Sequence, residues 1–226
     1  MMRSLLMLVA LSALVACATG PDGKNAGAGP GAAGDAPMTP QPAGQTLVYE
    51  CGEYEFVVRT GPGEVALYLP DDYRVLGQVR AASGSKYTDM DITFWSKGDT
   101  ATLDLGRARY VDCQLNRERG PWEEARRRGV DFRAVGQEPG WQLEIQQERN
   151  LLLVVDYGSR RILEPTPEPE LTEEGERYRT SDGRVQVEII TESCADTMSG
   201  ARYTHRVSVQ LDGRTYRGCG LSLEPR

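Results

Sequence analysis

From Thr46 onward, apolar and polar residues alternate in short runs that are separated by turn residues. Alternation with a period of two is typical of β-strands that bury one face, and Gly-Pro-Gly at 61–63 is a turn sequence. The runs rich in Val, Tyr, Leu and Phe are 46–51, 54–60, 64–69, 73–80, 86–95, 101–105 and 108–114. About seven or eight short strands with tight turns predict an antiparallel barrel, because closure removes the exposed sheet edges.

A second series of alternating runs follows a charged connector over residues 118–130. Within it, residues 120–129 are predicted to form one or two helical turns, with Arg126, Arg127 and Arg128 on a solvated face. The runs of the second series are 141–146, 150–157, 160–163, 184–191, 206–211 and 215–218. Asp212-Gly213 predicts a two-residue hairpin loop, and the acidic, proline-rich stretch 164–176 predicts a longer loop.

These patterns place the chain in the all-β class. The predicted organisation is a small antiparallel β-barrel over residues 46–117 and a second β-rich domain over residues 131–226. Residues 18–45, which are rich in Gly, Ala and Pro, predict a flexible tether in front of the barrel.

The first seventeen residues have the character of a targeting segment. Residues 5–16 form an apolar run that is too short to span a bilayer but suits the core of a signal peptide. The run ends in Leu14-Val15-Ala16-Cys17, which resembles the bacterial lipobox and implies a lipid anchor on Cys17; the alternative is a plain secretory signal. Ala18 in place of aspartate implies, by the sorting rule of lipoproteins, the periplasmic face of the outer membrane.

Charge and composition narrow the classes of partner. The 226 residues carry 33 acidic and 26 basic side chains, a net charge of −7. Such a chain repels phosphate, so a nucleic-acid partner is not expected. The chain has one histidine, His205, and no CxxC spacing, which argues against zinc or another metal; no cofactor is expected.

The cysteines suggest one crosslink in each predicted domain. If Cys17 carries lipid, four cysteines remain in an oxidising compartment, where an even number favours disulfides. Three pairings are possible. The simplest joins Cys51 to Cys113 and Cys194 to Cys219.

Several landmarks in the first domain occur together. They are Tyr49-Glu50-Cys51, Ser83-Gly84-Ser85-Lys86-Tyr87, Trp95-Ser96-Lys97-Gly98-Asp99-Thr100-Ala101-Thr102-Leu103 and Cys113-Gln114. Over residues 47–116 the combination resembles the membrane-bound lysozyme inhibitors of C-type lysozyme. The resemblance implies a barrel that is not an enzyme, a C-type lysozyme as partner, and a serine and a lysine that enter the lysozyme cleft. The matching positions are Ser83 and Lys97, with Gly84 and Tyr87 in the same binding surface; the alternative for Tyr87 is a structural aromatic of the barrel core.

Strand pairing offers a way to bring Ser83 and Lys97 together. In a hairpin centred on Met90, residues whose numbers sum to 180 face each other, which places Ser83 opposite Lys97 with Cβ atoms about 5 Å apart. A shift of one residue would remove this pairing. The alternatives are a turn serine with a solvated lysine, or a Ser–Lys hydrolase dyad. The dyad is disfavoured because Asp99 beside the lysine favours its charged form.

The sequence predicts the secondary structure of the second domain but not its function. Phe132-x-Ala-x-Gly-x-Glu-Pro-Gly-Trp141, together with 194–200 and 218–220, resembles a domain of uncharacterised bacterial lipoproteins and membrane proteins over residues 131–221, and its C-terminal part loosely resembles META-type domains. Either five residues line a site there, or they serve the fold as core, turn and edge residues; the five are Glu138, Trp141, Asp196, Ser199 and His205. The predicted function is lipid-anchored inhibition of C-type lysozyme, and the alternative is a non-inhibitory envelope-interaction or stress lipoprotein.

Overall fold

The computed structural model describes residues 44–70 and 72–223. The predicted signal peptide, Cys17 and nearly all of the predicted tether lie outside the described residues. The first eight strands are β1 (Thr46–Cys51), β2 (Tyr54–Gly61), β3 (Glu64–Leu69), β4 (Asp72–Val79), β5 (Ser85–Asp89), β6 (Ile92–Lys97), β7 (Thr100–Asp104) and β8 (Arg109–Asn116).

These eight strands form a closed antiparallel barrel in which each strand pairs with its neighbours in sequence. The barrel closes where β1 pairs with β8, through Val48 opposite Asn116 and Tyr49 opposite Leu115. Closure leaves no unpaired strand edge, which confirms the prediction made from the short alternating runs.

Aromatic rings fill much of the barrel interior. The ring of Tyr49 lies 5.6 Å from that of Phe56 and 5.5 Å from that of Phe94, measured between centroids. The predicted disulfide Cys51–Cys113 is confirmed and joins β1 to β8 across the seam of the barrel. Because it closes a loop with a sequence separation of 62, it stabilises the barrel by about 4 kcal/mol through the unfolded state.

The second domain is one curled sheet of nine antiparallel strands with a small two-stranded ribbon beside it. The strands are β9 (Phe132–Gln137), β10 (Gly140–Ile145), β11 (Asn150–Val155), β12 (Arg160–Pro165), β13 (Glu170–Leu171), β14 (Gly175–Arg179), β15 (Val185–Ile190), β16 (Cys194–Ala195), β17 (Arg202–Tyr203), β18 (His205–Leu211) and β19 (Arg214–Ser222). The order in the sheet is β12-β11-β10-β9-β19-β18-β15-β14-β13, and β16 pairs with β17.

Two local predictions for this sheet have opposite outcomes. The Asp212-Gly213 hairpin is confirmed, since Leu211 pairs with Arg214. The prediction of a loop over 164–176 is wrong in part, because β12 runs to Pro165 and Glu170 pairs with Arg177 at the sheet edge. Proline is tolerated at the end of an edge strand, so Pro165 does not prevent the pairing of β12 with β11.

The core of the second sheet and its crosslink follow the predicted alternation. Inward side chains such as Leu143, Leu153, Val187 and Val209 are fully or nearly fully buried in one cluster. The predicted disulfide Cys194–Cys219 is confirmed and ties β16 to β19. It fastens the small ribbon to the sheet.

Helix α1 (Gly120–Arg127) confirms the predicted helical turns and connects barrel and sheet within one compact unit. Glu124 accepts hydrogen bonds from Thr46 of β1 and Arg59 of β2. On the other side, the ring of Trp122 lies 5.2 Å from that of Tyr203. The helix therefore fixes the barrel to the sheet by contacts on both of its faces.

The prediction that Arg126, Arg127 and Arg128 form a solvated face is wrong for Arg126 and Arg127, which are half-buried, whereas Arg128 is exposed as predicted. Arg127 lies over the ring of Tyr68, 3.2 Å from its centroid, and Arg128 donates to both carboxylate oxygens of Glu144 at 2.9 Å. Arg126 pairs with Glu123 on the helix itself. Arg127 and Arg128 thus join the helix to the barrel and to the sheet, because a guanidinium can stack on an aromatic ring or donate hydrogen bonds to a carboxylate.

Within the described ranges, the structure contains no helix that is long and apolar enough to cross a membrane. The same residues contain no cluster of three or more His, Cys, Asp or Glu side chains arranged to hold a metal ion.

Candidate functional site at one rim of the barrel

The up-and-down order of the strands divides the barrel turns between two rims. The turns after β2, β4 and β6, together with the start of β1 and the end of β8, lie at one end, here called the N-terminal rim; the turns after β1, β3, β5 and β7 lie at the other. Ser83 lies in the loop after β4, and Lys97 ends β6. Both predicted inhibitory residues therefore lie at the N-terminal rim.

The register that was predicted to pair Ser83 with Lys97 is wrong by one residue. In the β5–β6 hairpin, Ser85 pairs with Ser96 and Asp89 with Ile92, so the numbers of paired residues sum to 181. The turn consists of the two residues Met90 and Asp91, and Met90 adopts a left-handed φ of 47°. A two-residue loop has no central residue, so the hairpin axis lies between Met90 and Asp91.

With this register, Gly84 rather than Ser83 lies against the end of β6. Gly84 has a φ of +68°, and a Cβ atom on it would lie 2.2 Å from the carbonyl oxygen of Ser96 and 3.2 Å from Cβ of Lys97. A residue without a side chain is required at such an approach. Gly84 therefore has a structural part in the predicted site: it lets the Ser83 loop close onto the strand that carries Lys97.

The Ser83 loop is also held from β6. The indole Nε1 of Trp95 donates a hydrogen bond to the carbonyl oxygen of Ser83. On the far side of Lys97, Thr100 donates to the Lys97 carbonyl oxygen at 3.0 Å, and Arg117 pairs with Asp99. The main chain of both predicted residues is thus fixed by neighbouring side chains.

The side chains of Ser83 and Lys97, by contrast, are not used by the barrel. Both residues are exposed. Within the described part of the chain, neither the Ser83 hydroxyl nor the Lys97 ammonium has a hydrogen-bond or ion-pair partner. A hydroxyl and an ammonium on fixed main chain are available to an acidic partner.

Tyr87, the fourth predicted contact residue, belongs to the barrel interior. It is 9% exposed, and its ring lies 6.1 Å from that of Phe94. The expectation that it forms part of a contact surface does not fit this position. Its ring supports the hairpin that carries the site.

Tyr49 links the interior to the same hairpin. Burial raises the pKa of its hydroxyl above the usual value, while a hydrogen bond with Ser96, the residue before Lys97, opposes that rise. The hydroxyl therefore stays protonated at neutral pH.

Comparison with known proteins identifies the barrel. The family model of the membrane-bound lysozyme inhibitors of C-type lysozyme matches residues 49–112. A curated relative of that name from Yersinia enterocolitica is 42% identical over 78 residues, which is 33% of this chain and 67% of the relative. The chain belongs to this family. A second relative of the same name, from Escherichia coli K12, is 40% identical over 74 residues, 31% of this chain and 67% of its own length. No solved structure matches the chain.

The landmark residues that this chain shares with the family of lysozyme inhibitors fall into two groups: residues that build the barrel and residues that are exposed at its rim. Tyr49, Tyr87, Ala101 and Leu103 are buried in the barrel core, and Cys51 and Cys113 form the disulfide. Gly98 adopts a φ of 60° in the turn after β6. The landmark side chains at 83 and 97 are among those left facing solvent at the rim.

Four of the five candidate residues of the second domain, all except Glu138, are explained by the fold. Trp141 is a core residue, and Asp196 accepts hydrogen bonds from the backbone N–H groups of Met198 and Ser199 at 2.9 and 2.7 Å. Burial would raise the pKa of Asp196, but these hydrogen bonds outweigh it and lower that pKa. His205 packs edge-on against Phe132 at 5.3 Å. These contacts support the interpretation of core, turn and edge residues.

Proposed function

We propose that the barrel inhibits a C-type lysozyme by placing Ser83 and Lys97 in the catalytic cleft of that enzyme. The observation that carries the proposal is the contrast between fixed main chain and unused side chains at these two positions. The names of the relatives support the partner, since both are called inhibitors of C-type lysozyme.

The chemistry of the pair suits the target. Glycoside hydrolysis of this kind uses two carboxyl groups, one protonated and one ionised. The ammonium of Lys97 can pair with the ionised carboxylate, while the hydroxyl of Ser83 can donate to one carboxyl and accept from the other. In a cleft that excludes water such charge-assisted bonds are stronger than neutral ones.

Charge favours encounter between the two proteins. Residues 46–117 carry 11 acidic and eight basic side chains, which leaves the barrel region at −3. C-type lysozymes are basic as a class, so the opposite charge of the barrel would speed association, most strongly at low salt.

The contacts of α1 with the barrel lie away from the hairpin that carries Lys97. The contacts of α1 named above fall on Thr46, Arg59 and Tyr68, which belong to β1, β2 and β3. In a closed eight-stranded barrel, β5 and β6 lie on the opposite wall from β1 and β2. The docking helix therefore covers a different wall from the hairpin that carries Lys97.

Attachment to a membrane completes the proposal. The relatives are named membrane-bound. Acylation of Cys17 would anchor the present chain at the periplasmic face of the outer membrane, and residues 18–45 would serve as the tether. Mass spectrometry of the chain purified from bacterial membranes tests this directly: a diacylglyceryl mass on a peptide that begins at Cys17 is expected, and an unmodified Cys17 would contradict it.

Inhibition is tested by titrating the purified full chain, in detergent, against a C-type lysozyme acting on cell-wall suspensions. We expect near-stoichiometric inhibition by the wild type. Lys97→Ala should weaken it by about 30-fold or more, the cost of removing one member of a desolvated ion pair. Ser83→Ala should weaken it by about five- to tenfold, as for a lost hydrogen bond.

Lys86→Ala is the matched control, because Lys86 carries the same charge on β5 of the same hairpin. It should change inhibition by less than about threefold, as expected of a charge at the edge of an interface. Equal losses for Lys86→Ala and Lys97→Ala would show a general charge effect and contradict cleft insertion. A folded wild-type chain without inhibition would favour the non-inhibitory envelope protein instead.

A further inference from the structure

Two glycines of the second-domain motif make room for aromatic rings. A Cβ atom on Gly136 would lie 2.1 Å from Nε1 of Trp141, and one on Gly140 would lie 2.7 Å from Cδ1 of Tyr157. The indole of Trp141 packs into the core and donates to the carbonyl oxygen of Arg217 at 3.1 Å. The ring of Tyr157, in contrast, lies over Gly140 on the outside of the sheet.

Tyr157 is presented to solvent by a strained turn. Asp156, Tyr157 and Gly158 have consecutive φ values of 51°, 57° and 89°, in the left-handed region that bulky residues avoid. The carboxylate of Asp156 accepts hydrogen bonds from Arg214 at 3.1 Å and Tyr216 at 3.4 Å. The side chain of Tyr157 is nevertheless 78% exposed. Strain of this kind is characteristic of functional sites, and here core packing does not account for it.

The exposed ring borders a groove of about 340 Å³ on the outer face of the sheet. The groove is lined by Val135, Gln137, Trp141, Gln142, Val154 and Tyr157, together with glycines, and none of its lining side chains is charged. A volume near 300 Å³ is at the lower end for small-ligand sites. The lining suits an uncharged ligand with one apolar face.

The two glutamines give the groove one free donor and one free acceptor. Oε1 of Gln142 accepts from Arg133 at 3.0 Å, which leaves its Nε2 group to donate. Nε2 of Gln137 donates to Asp196 at 3.3 Å, which leaves its Oε1 atom to accept. Among the described residues, the remaining amide atom of each glutamine has no hydrogen-bond partner.

We propose that this groove binds an N-acetylated sugar, with the sugar ring stacked on Tyr157. The face of an aromatic ring is partly negative and attracts the partly positive C–H groups on one face of a pyranose. An acetamido group carries one N–H donor and one C=O acceptor, the complement of Gln137 and Gln142. The absence of charge from the lining suits a neutral saccharide.

The test measures sugar binding to the full chain in detergent by saturation-transfer NMR and calorimetric titration. The probe is N,N′-diacetylchitobiose, and cellobiose, which has the same linkage without acetamido groups, is the comparison. We expect saturation transfer to the acetyl methyl and ring protons of chitobiose, and an affinity for cellobiose lower by about tenfold. Equal binding of the two sugars, or no transfer to either, would overturn the proposal.

Variants assign the binding to Tyr157. Tyr157→Ala should weaken chitobiose binding by about tenfold or more, whereas Tyr157→Phe keeps the ring and should stay within about threefold, since the Tyr157 hydroxyl makes one long hydrogen bond of 3.4 Å. Gly140→Ala should also weaken binding, because its methyl group displaces the ring. The control is Leu171→Ala, which removes a side chain of similar exposure, 77%, from β13. Unchanged binding by Tyr157→Ala would refute the stacked site.

Two further arms distinguish the sources of such a sugar. Sedimentation with insoluble peptidoglycan tests a cell-wall source, and capture on a glycoprotein with terminal N-acetylglucosamine tests a secreted one. Tyr157-dependent retention in either arm supports the proposal, and retention that survives Tyr157→Ala in both contradicts it. Lysozyme inhibition by the barrel is read separately, so failure of one proposal leaves the other measurable.

Discussion

The indole Nε1 of Trp95 donates a hydrogen bond of 2.8 Å to the carbonyl oxygen of Ser83. Trp95 lies on β6, two residues before that strand ends at Lys97. Its half-exposed side chain therefore holds the loop that precedes β5. The main chain of Ser83 is thus held by the same strand, β6, that contains Lys97. The main chain at both positions therefore loses little conformational freedom when a partner binds.

Trp95→Phe tests this link. The phenyl ring keeps most of the apolar contact but removes the donor, so the Ser83 loop should become mobile. We expect inhibition to weaken by about three- to tenfold, while urea unfolding shows a stability loss of about 1 kcal/mol or less. Trp141→Phe removes a comparable indole hydrogen bond, to Arg217 in the second sheet, and should leave inhibition unchanged. Wild-type inhibition by Trp95→Phe would show that the loop is held by other contacts.

Gly84→Ala should displace the Ser83 loop without removing either polar side chain. The new Cβ atom would lie 2.2 Å from the Ser96 carbonyl oxygen, at a left-handed φ. We expect a loss of about 1–3 kcal/mol of stability and a clear loss of inhibition in the lysozyme titration. Gly98→Ala is the counterpart, because Gly98 is also left-handed but has no atom within 4 Å of its Cβ position. A greater loss of inhibition for Gly98→Ala than for Gly84→Ala would contradict this account.

Arg127→Ala should loosen the attachment of α1 to the barrel. The guanidinium of Arg127 lies over Tyr68, and its removal should cost about 0.5–2 kcal/mol in urea unfolding. Amide hydrogen exchange should become faster in α1, while the barrel core stays protected. Arg179→Ala removes an exposed arginine from β14 and should have little effect on either measurement. Unchanged exchange in α1 of Arg127→Ala would refute a role for this contact in docking.

Asp212 gives the second sheet a defined dependence on pH. Hydrogen bonds from Arg184 first, and then from Arg160, lower the pKa of Asp212 from 3.8 to about 2. The pKa is lower in the folded state than in the unfolded state. The stabilisation is therefore complete above about pH 4 and is lost as the pH falls through 2.

Asp212→Asn isolates this contribution. Asparagine tolerates the left-handed φ of 50° at this position and removes the charge. In urea unfolding of the second sheet, wild type should be more stable than the variant at pH 6, and the difference should shrink between pH 4 and pH 2. A difference that is constant over this range would contradict the assignment.

The sequence pattern predicted most strands because alternation follows directly from burial on one face, but it did not predict the register of the site. In a sequence, the position of a two-residue hairpin loop can be predicted from residues that favour a left-handed backbone, as at Asp212-Gly213. Met90-Asp91 carries no glycine or asparagine, so the position of its axis was not visible. One residue of error then exchanged Ser83 for Gly84 opposite Lys97.

Features that depend on distant partners were also missed. Arg127 and Arg128 resembled a solvated face, because their partners, Tyr68 and Glu144, lie in strands remote in sequence. Tyr157 gave no signal, since a left-handed Asp-Tyr pair is held by Arg214 and Tyr216 from β19 rather than by local propensity. Charge and turn patterns describe a residue's neighbours along the chain, whereas these roles are set across the fold.

The pairing of β1 with β8 has a consequence for how such a protein is assembled from parts. Because Val48 lies opposite Asn116, the chain enters and leaves the barrel at adjacent points. A unit whose entry and exit adjoin can be inserted into a longer polypeptide, or cut out of it, without rethreading any strand. The barrel is therefore a self-contained unit. A helix and a second domain can be fused to the end of β8 without changing the topology of the barrel.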